Sequence, residues 1–191
     1  MRIRNRALFF GLGGWVSGLV GLATLPLVTL ALGPEEYGLF ATGNAVASLI
    51  GSVLSAPFAF IFAAARGRAN ASGEIRAAVL AATMLGIAAL LAFAGLAVIL
   101  PETVADAIGL PISLYLLALL PIPVMPIWIA AVDQLTLDGR AFTFFLIVLL
   151  QVLIGAGVTL WALFGLDLHA EALFLGNLAG HAVMFAGALY S

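Results

Sequence analysis

The side chains able to do chemistry are few, and each sits in apolar surroundings. Asn44, Ser48, Ser52 and Ser55 recur at intervals of three or four residues. Gln151, Gly155 and Thr159 repeat that interval, and Asn177 and His181 stand four apart. Such spacing puts side chains on one face of a helix. In hydrocarbon a polar face finds no hydrogen bond, so it should turn toward a bundle interior or a wet cavity. Together these faces are expected to line a path for polar cargo. The competing reading is hydrogen bonding between helices, worth about 0.6–2 kcal/mol per contact. His181 is of the type that titrates near neutrality, which makes it either a proton carrier or a neutral packing residue. Pro121, Pro123 and Pro126 fall within six residues. Each removes a backbone donor and crowds the preceding turn, so a helix break is expected there.

Other chemistries lack their parts. Ser17 and His181 are present, but no Gly-x-Ser-Gly context surrounds Ser17, so serine proteolysis has no assembled nucleophile. Asp138-Gly139-Arg140-Ala141 echoes the start of the aspartate-rich motif of membrane CDP-alcohol phosphotransferases, and the remaining aspartates of that motif do not follow. Two-metal chemistry needs more oxygen ligands than Asp133 and Asp138 supply. Cysteine is absent, which removes thiol catalysis, disulfides and thiolate metal sites. No phosphate loop, dinucleotide fingerprint or zinc spacing appears. The arginines are scattered rather than patched, so no nucleic-acid surface is expected. The expectation is a non-enzyme with no cofactor and no metal.

The elements that must carry these residues follow from composition. Of 191 residues, 64% are hydrophobic and 8% charged, whereas a soluble domain carries about 25% charged residues. Acids and bases are missing from Ala7–Pro34, Tyr37–Ala65, Ala77–Pro101, Ala107–Val132, Ala141–Leu166 and Ala172–Ser191. Crossing about 30 Å of hydrocarbon takes about 20 helical residues. A mid-membrane charge costs about 2.5–3.5 kcal/mol. An all-α, polytopic bundle of six transmembrane helices is therefore predicted, as one membrane domain. The spans are placed at about 7–32, 37–65, 77–100, 112–132, 141–164 and 171–190.

Charge segregation gives the orientation. Arg2, Arg4, Arg6, Arg66, Arg68, Arg76 and Arg140 precede span 1 or lie in the loops after spans 2 and 4. The opposite loops hold Glu35, Glu36, Glu102, Asp106, Asp167 and Glu171 and no Arg or Lys. The positive-inside rule then puts both termini in the cytoplasm, with Asp133 and Arg140 in a cytoplasmic loop. Tyr37, Tyr115 and Trp161 fall near outer helix ends and Tyr190 near an inner one, as headgroup anchors do. Trp15 and Trp128 lie deeper and read as packing residues. The first apolar run far exceeds the 7–15 residues of a signal-peptide core, so it reads as a retained span.

Glycines add a second pattern. Gly11, Gly14, Gly18 and Gly21 form a stripe on span 1, and Gly176 and Gly180 repeat the spacing in span 6. Small residues let helix backbones approach closely in lipid. Packing within the chain is the expected use. The alternative is a non-transporting scaffold or assembly protein that associates with other membrane proteins through these Gly-rich helices.

One junction resembles a known family. Leu32-Gly33-Pro34-Glu35-Glu36-Tyr37-Gly38, opening span 2, looks like the junction of Wzx-like polysaccharide and O-antigen flippases. These belong to the multidrug/oligosaccharidyl-lipid/polysaccharide superfamily. Asp133-Gln134-Leu135-Thr136-Leu137-Asp138-Gly139-Arg140 resembles that family's cytoplasmic turn after span 4, where a glutamine and a glycine precede a basic residue. The resemblance implies movement of a polyprenyl-diphosphate-linked oligosaccharide across a bacterial inner (plasma) membrane, for cell-surface polysaccharide or lipopolysaccharide synthesis. It also implies two six-helix bundles around a central cavity. Family members carry about twice as many spans, so this chain corresponds to the N-terminal half. It would be a truncated or half-length flippase, completed by a second six-helix half or a second copy. No arginine lies within any span, and no substrate-binding residue carries over by motif.

Overall fold

The computed structural model describes residues 3–65 and 72–189, and side-chain surroundings over 9–57 and 77–188 except at Asp133, Thr136 and Leu137. Of the loop expected over 66–76, residues 66–71 lie outside the described residues, as does the anchor expected at Tyr190. Helix α1 spans Ile3–Ala65, α2 Ser72–Ile99, α3 Pro101–Ile108, α4 Ile112–Leu119, α5 Met125–Leu137, α6 Ala141–Gly165 and α7 Ala170–Leu189. A 3-10 turn, Ile122–Val124, separates α4 from α5. No strand occurs among the described residues. The chain is a multi-pass, all-α membrane protein.

Four helical stretches are long and apolar enough to cross a bilayer: Phe9–Pro57, Ala77–Ile99, Ile112–Val132 and Ala141–Gly165. The first is 49 residues long, about twice what one crossing needs. It is divided by Gly33, whose φ of 76° and ψ of 173° are not helical. That backbone region is essentially restricted to glycine. Helix α7 is 20 residues long but less apolar, since it carries Glu171, Asn177 and His181.

The helices form two compact units, residues 1–40 with 131–191, and residues 41–130. In the first, α6 and α7 pair along most of their length. The start of α1 joins them through rings: Phe9 packs edge-on against Phe142 at 5.4 Å, and Phe10 lies 5.0 Å from Phe144. In the second unit Ala97, Val104, Tyr115, Leu119 and Ile122 form the buried core, with Val46, Ile50, Leu54 and Phe93 against it.

The buried set is unusual in its sizes. Ala47, Ala78, Ala82, Ala97, Ala118, Ala131, Ala141, Ala162, Ala170 and Ala172 are buried, whereas Leu30, Leu22, Leu49 and Leu91 are exposed. In water such a surface would be costly. In lipid there is no hydrophobic force between helices, so close backbone approach over small residues supplies much of the packing, beside larger buried side chains such as Leu119, Ile122 and Leu135.

Prolines and glycines set the interruptions. Helix α4 stops before Pro121, and Val124 N–H donates to the Pro121 carbonyl at 3.0 Å in the tighter 3-10 geometry. Helical hydrogen bonding resumes in α5, where Pro126 is the second residue and its missing donor costs nothing. A Cβ added to Gly86 would lie 2.9 Å from the Pro123 backbone, so α2 crosses close beside the break. The segment expected as a plain external loop after span 3 instead forms α3, with Pro101 in its first turn and Gly109 (φ 73°) closing it. Two expectations, Tyr115 as a headgroup anchor and Trp15 as a packing residue, are corrected. Tyr115 is 2% exposed and belongs to the core, and Trp15 is 74% exposed rather than packed. Both have one cause: depth along a helix does not reveal which face an aromatic side chain occupies.

Candidate functional site

Span 2 has two contrasting faces. Gly43, Ala47, Gly51 and Ser55 are buried, and Val46, Ile50 and Leu54 pack beside them. That face approaches α5 closely, because a Cβ on Gly51 would collide with the Met125 thioether. One residue further along the chain, Asn44, Ser48 and Ser52 are all exposed. Each residue advances the helix by about 100°, so these three occupy one edge of the open face. Leu49 and Val53, exposed at 67% and 65%, occupy its other edge. The open face is thus polar along one margin and apolar along the other.

Hydroxyls in a membrane helix commonly satisfy themselves on the preceding turn. Thr24 donates to the Val20 carbonyl, Thr29 to Leu25 and Thr83 to Val79, at 2.9, 2.9 and 2.8 Å. Ser55 donates to the Gly51 carbonyl at 2.5 Å. Among the described residues no such bond holds the side chains of Asn44, Ser48 or Ser52.

The other residues expected on the pathway lie on α6 and α7. Thr159 is buried, and its hydroxyl occupies the space a Cβ on Gly176 would fill. Gln151 lies against Gly180, whose added Cβ would be 3.3 Å from the glutamine Cγ. A Cβ on Gly155 would sit 3.0 Å from the Gly176 carbonyl. Gln151 and Thr159 therefore line a helix–helix seam. Asn177 and His181 are half-buried on α7. The His181 ring Nδ1 lies 2.8 Å from the Asn177 carbonyl oxygen. A carbonyl only accepts, so Nδ1 carries the proton in that bond. Gln151, Thr159, Asn177 and His181 thus share the α6–α7 pair, while Asn44, Ser48 and Ser52 belong to the other unit.

Both sequence motifs that resemble flippases have structural work here. Gly33 lets the chain turn between spans 1 and 2, and Leu32 packs on Ala162, Leu163 and Ala172. Glu36 accepts a hydrogen bond from the Ala170 N–H at 3.2 Å, satisfying a donor that opens α7. Its negative charge suits the positive end of that helix. Phe40 then packs edge-on against Phe174 at 5.1 Å. The capping role of Glu36 was not visible in the sequence, since its partner is 134 residues away. In the second motif Gly139 has φ 65°, and Arg140 N–H donates to the Leu135 carbonyl at 2.9 Å, the glycine-closed ending of a helix. Gln134 Nε2 donates to both Asp138 carboxylate oxygens at 3.2 Å. Arg140 is exposed at the start of α6, and Asp133 lies on α5, which extends into the expected loop as far as Leu137. Among the described residues no group of His, Asp or Glu could hold a metal ion.

No family model matches the chain, and no curated protein does. A solved structure does. The chain is similar in fold to a MATE transporter. The structure is described as the MATE transporter ClbM in complex with Rb+; the likeness has a TM-score of 0.55 at 15% sequence identity and covers 97% of this chain and 43% of that one. The chain therefore spans less than half the length of that MATE transporter.

Proposed function

We propose that the chain is a membrane transporter, working as one six-helix half of a lipid-linked oligosaccharide flippase for cell-surface polysaccharide export. The observation that carries this reading is the MATE-like fold, which extends over 97% of the chain. The Leu32–Gly38 junction supports the finer assignment to polysaccharide flippases. The physics is coherent with it. A sugar headgroup cannot enter hydrocarbon without losing its hydrogen bonds, so it needs a polar path, whereas its lipid tail can stay in the bilayer. The arginine distribution supports cytoplasmic termini, with cargo taken from the inner leaflet of a bacterial plasma membrane. A second six-helix half or a second copy would complete the path. The chain's own residues offer no assembled catalytic group, so transport rather than enzymatic turnover is proposed.

The test is export in cells that depend on this chain. Replacing Asn44 and Asn177 together with Leu should abolish surface polysaccharide at unchanged protein level. Full export from that variant would sink the polar-path reading.

A second reading has its own observation. A Cβ added at Gly11, Gly14, Gly18 or Gly21 would meet nothing within 4 Å. An open glycine stripe suits a scaffold that docks other membrane proteins. Cysteine at Ser48, in this cysteine-free chain, separates the two. A water-soluble thiol reagent should modify it on a transport path and leave it intact on a lipid-facing or docked helix.

A further inference from the structure

We infer that the Asn44–Ser48–Ser52 edge of span 2 is the contact for the uncharged, hydroxyl-rich part of the cargo, and not for its charged part. The inference rests on the transporter reading above and adds a ligand class to one surface.

Position comes first. With a rise of 1.5 Å per residue, Asn44 lies about 12 Å and Ser52 about 24 Å beyond Glu36 along the helix. The edge therefore crosses the middle of a hydrocarbon layer about 30 Å thick. Three exposed polar side chains with no intrachain hydrogen bond are poorly placed against lipid at that depth. Leu49 and Val53, on the adjoining edge, are well placed there. The face thus has one margin fitted to acyl chains and one fitted to a polar ligand that passes alongside.

Chemistry then narrows the ligand. The carboxamide and the two hydroxyls each donate and accept, as sugar hydroxyls do. No base stands between Ala7 and Ala65 or between Ala77 and Gly139. A phosphate brought to this edge would meet no countercharge from those segments and would lose its hydration. A neutral glycan loses only hydrogen bonds, and these side chains replace them. A purely apolar cargo would leave the three groups unused.

The test places a benzophenone amino acid singly at positions 48, 52 and 53 of the full chain, in cells whose polysaccharide export depends on it. After irradiation, adducts are purified and their acid hydrolysates analysed for monosaccharides, acyl chains and peptides. Monosaccharide-bearing adducts are expected at 48 and 52, and acyl-chain adducts at 53. Acyl chains alone, peptides alone or no adduct at 48 and 52 would overturn the assignment. A second comparison needs no bulky group. N44L/S48L/S52L should lower export about tenfold or more at equal protein level, while N44Q/S48T/S52T, which keeps the donors and acceptors, should stay within about twofold. Equal export from the two also overturns it. Export that never depended on the chain would instead refute the transporter reading, so the two failures are distinct.

Discussion

Glycines at three- and four-residue spacing occur at both ends of the first unit, and they meet opposite surroundings. On α6 and α7, Gly155, Gly176 and Gly180 bring two backbones into contact, with the Gly176 carbonyl against Gly155 and the Thr159 and Gln151 side chains against Gly176 and Gly180. On α1, Gly11, Gly14, Gly18 and Gly21 face open space, and a groove of about 420 Å³ runs along Gly14, Trp15, Gly18, Leu19 and Leu22. Gly13, one residue off that stripe, does touch the bundle, 3.1 Å from the Phe144 ring if it bore a Cβ. The expectation that the α1 stripe packs within the chain is thus not met. Spacing gives a helix the capacity for close approach, and the surface opposite decides whether that capacity is used.

Three substitutions sharpen the contrast, from the largest effect down. Gly176→Ala forces a methyl against Thr159 and to 2.6 Å from the Gly155 carbonyl. Overpacking of this kind costs about 2–3 kcal/mol. The denaturant midpoint of the chain in bicelles should fall accordingly, and an unchanged midpoint would mean that α6 and α7 part freely. Glu36→Ala removes the acceptor at the start of α7, a loss of about 1–2 kcal/mol. Glu36→Gln keeps an acceptor and should recover most of it in the same titration. Gly18→Ala should stay within about 0.5 kcal/mol of the parent and tend toward stabilisation, because alanine favours helix. A clear loss of stability there would reveal a partner on the open stripe.

The same contrast explains what the sequence could show. The long apolar helices were legible because a charge in hydrocarbon is expensive whatever it touches, and the four stretches long enough to cross a bilayer all fall within the charge-free runs or join two of them. The proline-dense segment announced an interruption, because a missing N–H has the same local effect in any fold. The direction each face points was not legible. In water, polarity marks the outside of a helix. Here both the open and the packed faces are apolar, and both carry large side chains, as buried Leu119 and Ile122 and exposed Leu80 and Leu91 show. Asn44, Ser48, Ser52 and the Gln151–Thr159 pair therefore looked alike, although one set is open and the other lies in a seam. Trp15, expected to pack, is exposed and Tyr115, expected at the headgroups, is buried for the same reason.

The hydrogen bond from Ala170 to Glu36 also carries a schedule. Its partners are separated by 134 residues. At a synthesis rate of about 5–20 residues per second, roughly 7–27 s pass between the emergence of the acceptor and that of its donor. Throughout that interval the turn at Gly33 exists without the helix it is built to hold, and its carboxylate has only water to serve it. The first span and its turn must therefore persist in the bilayer as an unfinished piece until α6 and α7 arrive to close the unit.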